Sequence, residues 1–260
     1  MKKIMAILNL TPDSFFPGSR LIGPEGRFEA ADFVSRVETA LAQGADIIDL
    51  GACSTRPGSE PVSAEEEWAR LQPALALWKT HFREVPLSVD TFWPDVALRC
   101  REYSDKLIVN DVAAGDNPRM MEAVARMDCP YVAMHHEPLA PGDDVVPAVC
   151  RWREAFARKA QDAGIREWWL DPGFGFGKTL GQNWALLRHL DQLPHDRPIL
   201  VGLSRKSMLF RLLPQASDTS VSVGELASRP ETLLLTRLAN RLALSGGASI
   251  FRVHDPAEVF

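Results

Sequence analysis

The sequence predicts an α/β fold, a single (β/α)8 TIM barrel over residues 1–260 with its eighth helix short or missing. Three observations carry this. Eight short apolar runs each end at a polar or small residue, and segments of helical periodicity lie between them. The chain has 260 residues, close to the roughly 250 that one such barrel takes. Alternating strand and helix is what a parallel sheet requires. A strand buried on both faces reads as a short aliphatic run. In a closed barrel all strand C-termini face one way, so the residues that end the runs converge on one pocket.

The runs are IMAIL before Asn9, DIIDL before Gly51, PLSV before Asp90 and LIV before Asn110. They continue with YVAM before His135, EWWL before Asp171, PILVGL before Ser204 and SIF before Arg252. Segment 27–43 sets Phe28, Ala31, Val34, Val37 and Leu41 on one side and ends at Gly44, a C-cap residue. Ser63 followed by Glu66 is a capping-box pattern, and it opens a second helix through Trp68, Leu71, Leu75 and Trp78. Pro94 suits the first turn of a third. Further helices are expected near 118–127, 147–163, 183–193 and 230–245. The last carries Leu234, Leu238 and Leu242 on one face, Arg237 and Arg241 on another, and closes at Gly246-Gly247. The longest irregular stretch is 214–229, read as a loop. Little room follows SIF for an eighth helix. No Ser/Gly-rich linker or low-complexity tract divides the chain.

Composition excludes several function classes. A net charge of −5 argues against non-specific nucleic-acid binding, which needs a basic face. Cys53, Cys100, Cys129 and Cys150 are scattered and form no C-x-x-C pair, so neither zinc nor a redox dithiol is expected. The apolar run after Lys2 and Lys3 is too short for a signal-peptide core, and no run approaches a membrane span. A cytoplasmic, soluble protein without membrane or nucleic-acid partners is the expectation.

The run ends carry chemistry. A strand-end Asp commonly caps the next helix, but Asp171 precedes Pro172, which disfavours that role. Ionised Asp90 and Asp171 accept only, and each can take two parallel N–H donors. Asn110 offers a donor and an acceptor. Together they suit the amidine-like edge of an aminopyrimidine ring. The cations are Arg56, Lys206, Arg252 and His254, with Arg205 and Lys178 nearby. Several follow runs seven and eight, where barrels of this kind bind phosphate. The pocket therefore reads as two-ended, with carboxylates for a donor-rich heterocycle and cations for a phosphate. Gly173-Phe174-Gly175-Phe176-Gly177-Lys178 reads as a tight loop with phenylalanines to wall an aromatic ligand. GACSTRPG at 51–58 reads either as a loop that closes over a ligand or as a passive connection.

These residues resemble the dihydropteroate synthase family. The matching segments are NLTPDSF at 9–15, GACSTRPG at 51–58, SVDT at 88–91, VND at 109–111, MH at 134–135, DPGFGFGK at 171–178, SRKS at 204–207 and RVHD at 252–255. They run in order from the first strand to the last. The resemblance implies condensation of 6-hydroxymethyl-7,8-dihydropterin diphosphate with 4-aminobenzoate to 7,8-dihydropteroate, with diphosphate released. It implies that Asp90, Asn110, Asp171 and Lys206 hold the pterin, with Met134 and Phe176 lining the ring. Arg252 would stack over the pterin and reach the diphosphate with His254. Thr55 and Arg56 would order the diphosphate, Lys206 and Ser207 would border the aminobenzoate, and Asn9 would help hold Mg2+. Asp90, Lys206, Arg252 and His254 would be catalytic. A homodimer is also implied. Two residues depart from the family pattern: Pro17 where an Asp is common, and Cys53 where many members have Glu.

Three rivals make different demands. A methyltetrahydrofolate-type methyltransferase domain of the same architecture needs no diphosphate site. A paralogue that binds pterin without synthase activity would fit Pro17 and Cys53. A Schiff-base aldolase would use Lys206.

Overall fold

The computed structural model describes residues 2–10, 28–53, 62–218 and 220–260. Eight parallel strands form β1 (Lys3–Asn9), β2 (Ile47–Gly51), β3 (Leu87–Asp90), β4 (Leu107–Asp111), β5 (Tyr131–Met134), β6 (Trp168–Asp171), β7 (Leu200–Val201) and β8 (Ile250–Val253). Their order is β6-β5-β4-β3-β2-β1-β8-β7. A single bridge, Leu170 to Ile199, joins the two edges, and the Leu170 N–H donates to the Pro198 carbonyl at 2.9 Å. The predicted barrel is thus nearly closed, with its weakest seam at β6 and β7.

The outer ring contains α1 (Ala30–Ala42), α2 (Ala64–His81), α3 (Pro94–Cys100), α4 (Pro118–Met127), α5 (Val145–Ala163) and α6 (Leu180–Arg188). Two short helices, α7 (Ser207–Phe210) and α8 (Val223–Ser228), precede the long α9 (Pro230–Ser245). The Ser63 hydroxyl caps α2 by accepting the Glu66 N–H at 3.1 Å. No described helix is long and apolar enough to cross a membrane.

Among the described residues β8 is followed by a 3-10 turn, Pro256–Glu258. Residues 259 and 260 pack back onto the barrel. The Phe260 ring meets Phe251 edge-on at 4.9 Å, and the buried Asn240 amide of α9 donates to the Val259 carbonyl at 3.0 Å.

Two expectations shift. The helix expected at 183–193 starts earlier, because Thr179 and Gln182 form a reciprocal capping box at the α6 N-terminus. The stretch 214–229 holds a 3-10 turn and α8, which is opened by a second such box, Ser222 with Glu225. On α9 the leucine face points outward. Thr232, Thr236, Ala239, Asn240 and Ala243 are buried, whereas Leu234 is 55% and Leu238 53% exposed. Small residues let α9 lie close to the barrel, and the larger apolar side chains are left outside.

Candidate active site

Side chains on a strand alternate faces, and that alternation builds the site. Met5, Ile47, Ile108, Val132, Trp169, Leu200 and Ile250 form a cluster of their own, one residue from each strand except β3. This is the apolar plug inside the barrel. Two residues further along the same strands, and so on the same face, come Asp49, Asn110, Met134, Asp171 and Arg252. From β3 come Ser88 and then Asp90. The inner wall turns from apolar to charged within one step of the strand repeat.

Asp49 organises this wall and was not among the residues predicted from sequence. It is fully buried and accepts from the Ser88 hydroxyl, from Asn110 Nδ2 at 3.4 Å and from Arg252 Nε at 2.7 Å. Arg252 Nη2 also donates to Asp90 Oδ2 at 2.8 Å. One guanidinium therefore joins β2, β3 and β8. Burial opposes the charge of Arg252, but Asp49 and Asp90 outweigh it and hold the pKa above the ordinary arginine value. Burial raises Asp90 to about 7, against the pull of Arg252. Its other oxygen, Oδ1, is buried with no hydrogen-bond partner. A buried acceptor without a donor is rare and calls for one.

Across the mouth, burial also raises Asp171 above the usual carboxylate range, with Lys206 pulling the other way. Asp171 Oδ1 accepts the Gly173 N–H at 2.8 Å. Lys206 donates to the Phe174 carbonyl, and its ammonium sits 4.7 Å from the centre of the Phe176 ring. Burial lowers Lys206 to about 8. Met134 is buried and pairs in register with Asp171. Ser207 opens α7 directly after Lys206.

The cation end needs correction. His254 is not a cation near neutral pH: burial, then Arg252, push its imidazole down to about 3. It works as a neutral hydrogen-bonding group, with Nδ1 3.1 Å from the Ser204 hydroxyl. That hydroxyl also accepts the His254 backbone N–H at 3.2 Å. Arg205 belongs to the scaffold. Its guanidinium bonds Asp255 at 2.8 and 3.1 Å and the Ala227 carbonyl at 2.8 Å, tying the loop after β7 to the end of β8.

Asn9 ends β1 beside Gly51, which pairs with it in register. A Cβ on Gly51 would lie 3.3 Å from Asn9 Oδ1 and 3.9 Å from Asp90 Oδ2. A larger residue would crowd both oxygens, so glycine keeps this corner open. Cys53 is buried, and burial raises its thiol pKa. A carboxyl does lie near it: Glu67 of α2, which burial raises to about 7. Thr55, Arg56 and Pro17 lie outside the described residues. Among the described residues no group of three His, Cys, Asp or Glu side chains could hold a metal ion.

A family model described as pterin binding enzyme matches residues 5–254. The dihydropteroate synthase of Neisseria meningitidis serogroup C is 38% identical over 265 residues, covering 97% of this chain and 87% of that protein. The chain belongs to the dihydropteroate synthase family. Solved members of the family superpose over nearly all of it. Xanthomonas albilineans dihydropteroate synthase with 4-aminobenzoic acid has a TM-score of 0.83 at 36% identity, covering 99% of this chain and 89% of that one. The Thermus thermophilus enzyme in complex with 6HMPPP has a TM-score of 0.77 at 34% identity, covering 99% and 90%. These relatives are synthases and lend nothing to the methyltransferase, non-catalytic or aldolase readings.

Removing one partner of a buried ion pair strands the other charge. Asp49→Ala should therefore lower unfolding free energy by about 3 kcal/mol in urea denaturation. A loss under about 1 kcal/mol would mean that Arg252 does not depend on Asp49.

Proposed function

We infer that this mouth joins 6-hydroxymethyl-7,8-dihydropterin diphosphate to 4-aminobenzoate, releasing diphosphate and forming 7,8-dihydropteroate. The observation that carries the reading is the orphaned Asp90 Oδ1, set beside Asn110 in a chain of this family. A pterin presents a row of ring and amino N–H donors, and such an acceptor is what that edge needs. Asp90, Asn110 and Asp171 hold the heterocycle, with Met134 and Phe176 against its faces. Lys206 supplies a cationic donor on that side and, with Ser207, borders the aminobenzoate.

The C–O bond at the exocyclic methylene breaks, and its electron pair leaves with the diphosphate. The positive charge spreads into the pterin, where Asp90 and Asp171 favour it electrostatically. The aniline nitrogen forms the new C–N bond with its lone pair and gives its proton to diphosphate or water. A neutral amine is already nucleophilic, so no strong base is needed. Arg252 donates to the leaving group and His254 adds a neutral N–H. The family resemblance of GACSTRPG assigns Thr55 and Arg56 to the diphosphate.

The donor set fits Mg2+ brought in with the substrate. This ion keeps several waters and takes one or two protein oxygens plus phosphate oxygens. Asn9 Oδ1, near Asp90 at the corner kept open by Gly51, would hold it. When bound, it would neutralise charge on the departing diphosphate.

Purified protein with Mg2+ and both substrates should form dihydropteroate, detected by mass. Lys206→Ala should raise the pterin-diphosphate Kd by about tenfold or more. Wild-type kcat/KM should rise as pH climbs through about 7, where Asp90 ionises, and fall through about 8, where Lys206 loses its proton. No product where a control synthase works, or unchanged affinity in Lys206→Ala, would refute the reading.

A homodimer completes the proposal, through α9. The stripe Leu234, Leu238 and Leu242 is exposed along one helix face. Antiparallel pairing of two copies about a two-fold axis is self-complementary. It would bring the exposed Glu231 of one copy toward the exposed Arg241 of the other. Sedimentation should give twice the 28.8 kDa chain mass, and Leu238→Asp should give single chains. A monomeric wild type at micromolar concentration, or a dimeric Leu238→Asp, would exclude this interface.

A further inference from the structure

Lys178 ends the glycine-rich loop after β6, and its ammonium is surrounded by protein acceptors. It lies 2.9 Å from His135 Nδ1, 3.1 Å from the His135 carbonyl, 3.0 Å from the Gly173 carbonyl and 3.1 Å from the Phe176 carbonyl. Three N–H donors thus serve four acceptors. Burial lowers the lysine to about 8, and Asp171 favours its charge while Lys206 opposes it. Burial, then Lys178, hold His135 down at about 4, so its ring is a neutral acceptor. His135 itself is fixed. It is 1% exposed, lies edge-on to Trp152 at 5.5 Å, and its backbone N–H donates to the Asp171 carbonyl at 2.9 Å.

Gly173 has φ +73°, and a Cβ there would fall 1.9 Å from the His135 carbonyl oxygen. On the far side Asn183 of α6 accepts the Gly175 N–H at 2.7 Å and donates to the Lys178 and Thr179 carbonyls. Between these two anchors the loop presents the Phe174 carbonyl and the Phe176 ring to Lys206. The ammonium that ties the loop to the residue after β5 is thus distinct from Lys206, the group that the same loop contacts through Phe174 and Phe176.

We propose that Lys178 is a positioning residue for the pterin wall. Its ammonium, caged by His135 and the loop carbonyls, holds the 172–177 loop so that Phe174 and Phe176 aim Lys206 at the heterocycle. Lys178 acts through Lys206 and the loop, and its donors are spent on protein. The inference rests on the reading of Asp171 and Lys206 as pterin contacts.

The test compares Lys178→Met, which keeps the length and removes the donors, with Asp171→Asn as a reference for the pterin site. Lys178→Met should raise KM for the pterin diphosphate by about tenfold, with kcat within about threefold of wild type. KM for 4-aminobenzoate should stay within about twofold. In Lys178→Ala, added propylammonium should bring the pterin KM back toward wild type, and equal sodium chloride should not. This second variant also answers the case in which Lys178→Met fails to fold. Wild-type pterin KM in Lys178→Met while Asp171→Asn loses the pterin would overturn the role of Lys178 alone. So would a defect in Lys178→Ala indifferent to propylammonium. A wild-type pterin KM in Asp171→Asn would bring down the pterin-site reading, and this proposal with it.

Discussion

Arg252 held between Asp49 and Asp90 is the interaction on which the mouth depends. Asp49, Asp90 and Asp171 stand on the inner wall above a plug of wholly apolar side chains. Three carboxylates so placed would repel one another strongly, because an apolar floor lowers the local dielectric and strengthens every charge above it. Arg252 offsets two of them and Lys206 the third. Asp49 has no role left for a ligand, since Ser88, Asn110 and Arg252 occupy it. Asp90 keeps one oxygen unpaired. The same ion-pair network thus separates a carboxylate used up by the protein from one that keeps an acceptor open.

That separation fits dissociative chemistry. The developing positive charge lies on the heterocycle, so carboxylates belong against the ring, while cationic donors belong at the leaving group. In the proposed site Arg252 serves both regions. It is locked by two acids on one side, which leaves it charged and oriented without reorganisation when the C–O bond breaks. His254, kept neutral by its neighbours, adds a hydrogen bond without adding to the crowd of charge. Lys178 and His135 repeat this design one layer back, where a buried cation and a neutral ring fix a loop instead of a ligand.

Much of this was legible in sequence. The strand ends were visible as apolar runs stopping at polar or small residues, and most of them lie at the mouth; the His135 ring instead packs against Trp152 of α5. Inside a strand the reading failed. Asp49 sits within DIIDL, and a charge between the apolar neighbours Ile48 and Leu50 was the available signal. With period two it had to point inward above Ile47, a position that run ends alone do not mark. The α9 leucines raise a different point. Spacing reveals that a helix has an apolar face, but not whether that face meets the barrel, and here Thr232, Thr236, Ala239 and Ala243 made the closer contact. His254 counted as a cation because residue type says nothing about desolvation. The capping boxes at Thr179 and Ser222 were readable and marked helices where a loop and a later start were expected.

A double-mutant cycle on Asp49 and Arg252 tests the central claim most directly, read as kcat/KM for the pterin diphosphate at saturating 4-aminobenzoate. If Asp49 acts only by holding Arg252, Asp49→Asn should cost about tenfold or more in the wild-type background. In an Arg252→Met background it should cost almost nothing. An equal cost in both backgrounds would contradict the account, because Asp49 would then serve the reaction independently of the arginine it holds.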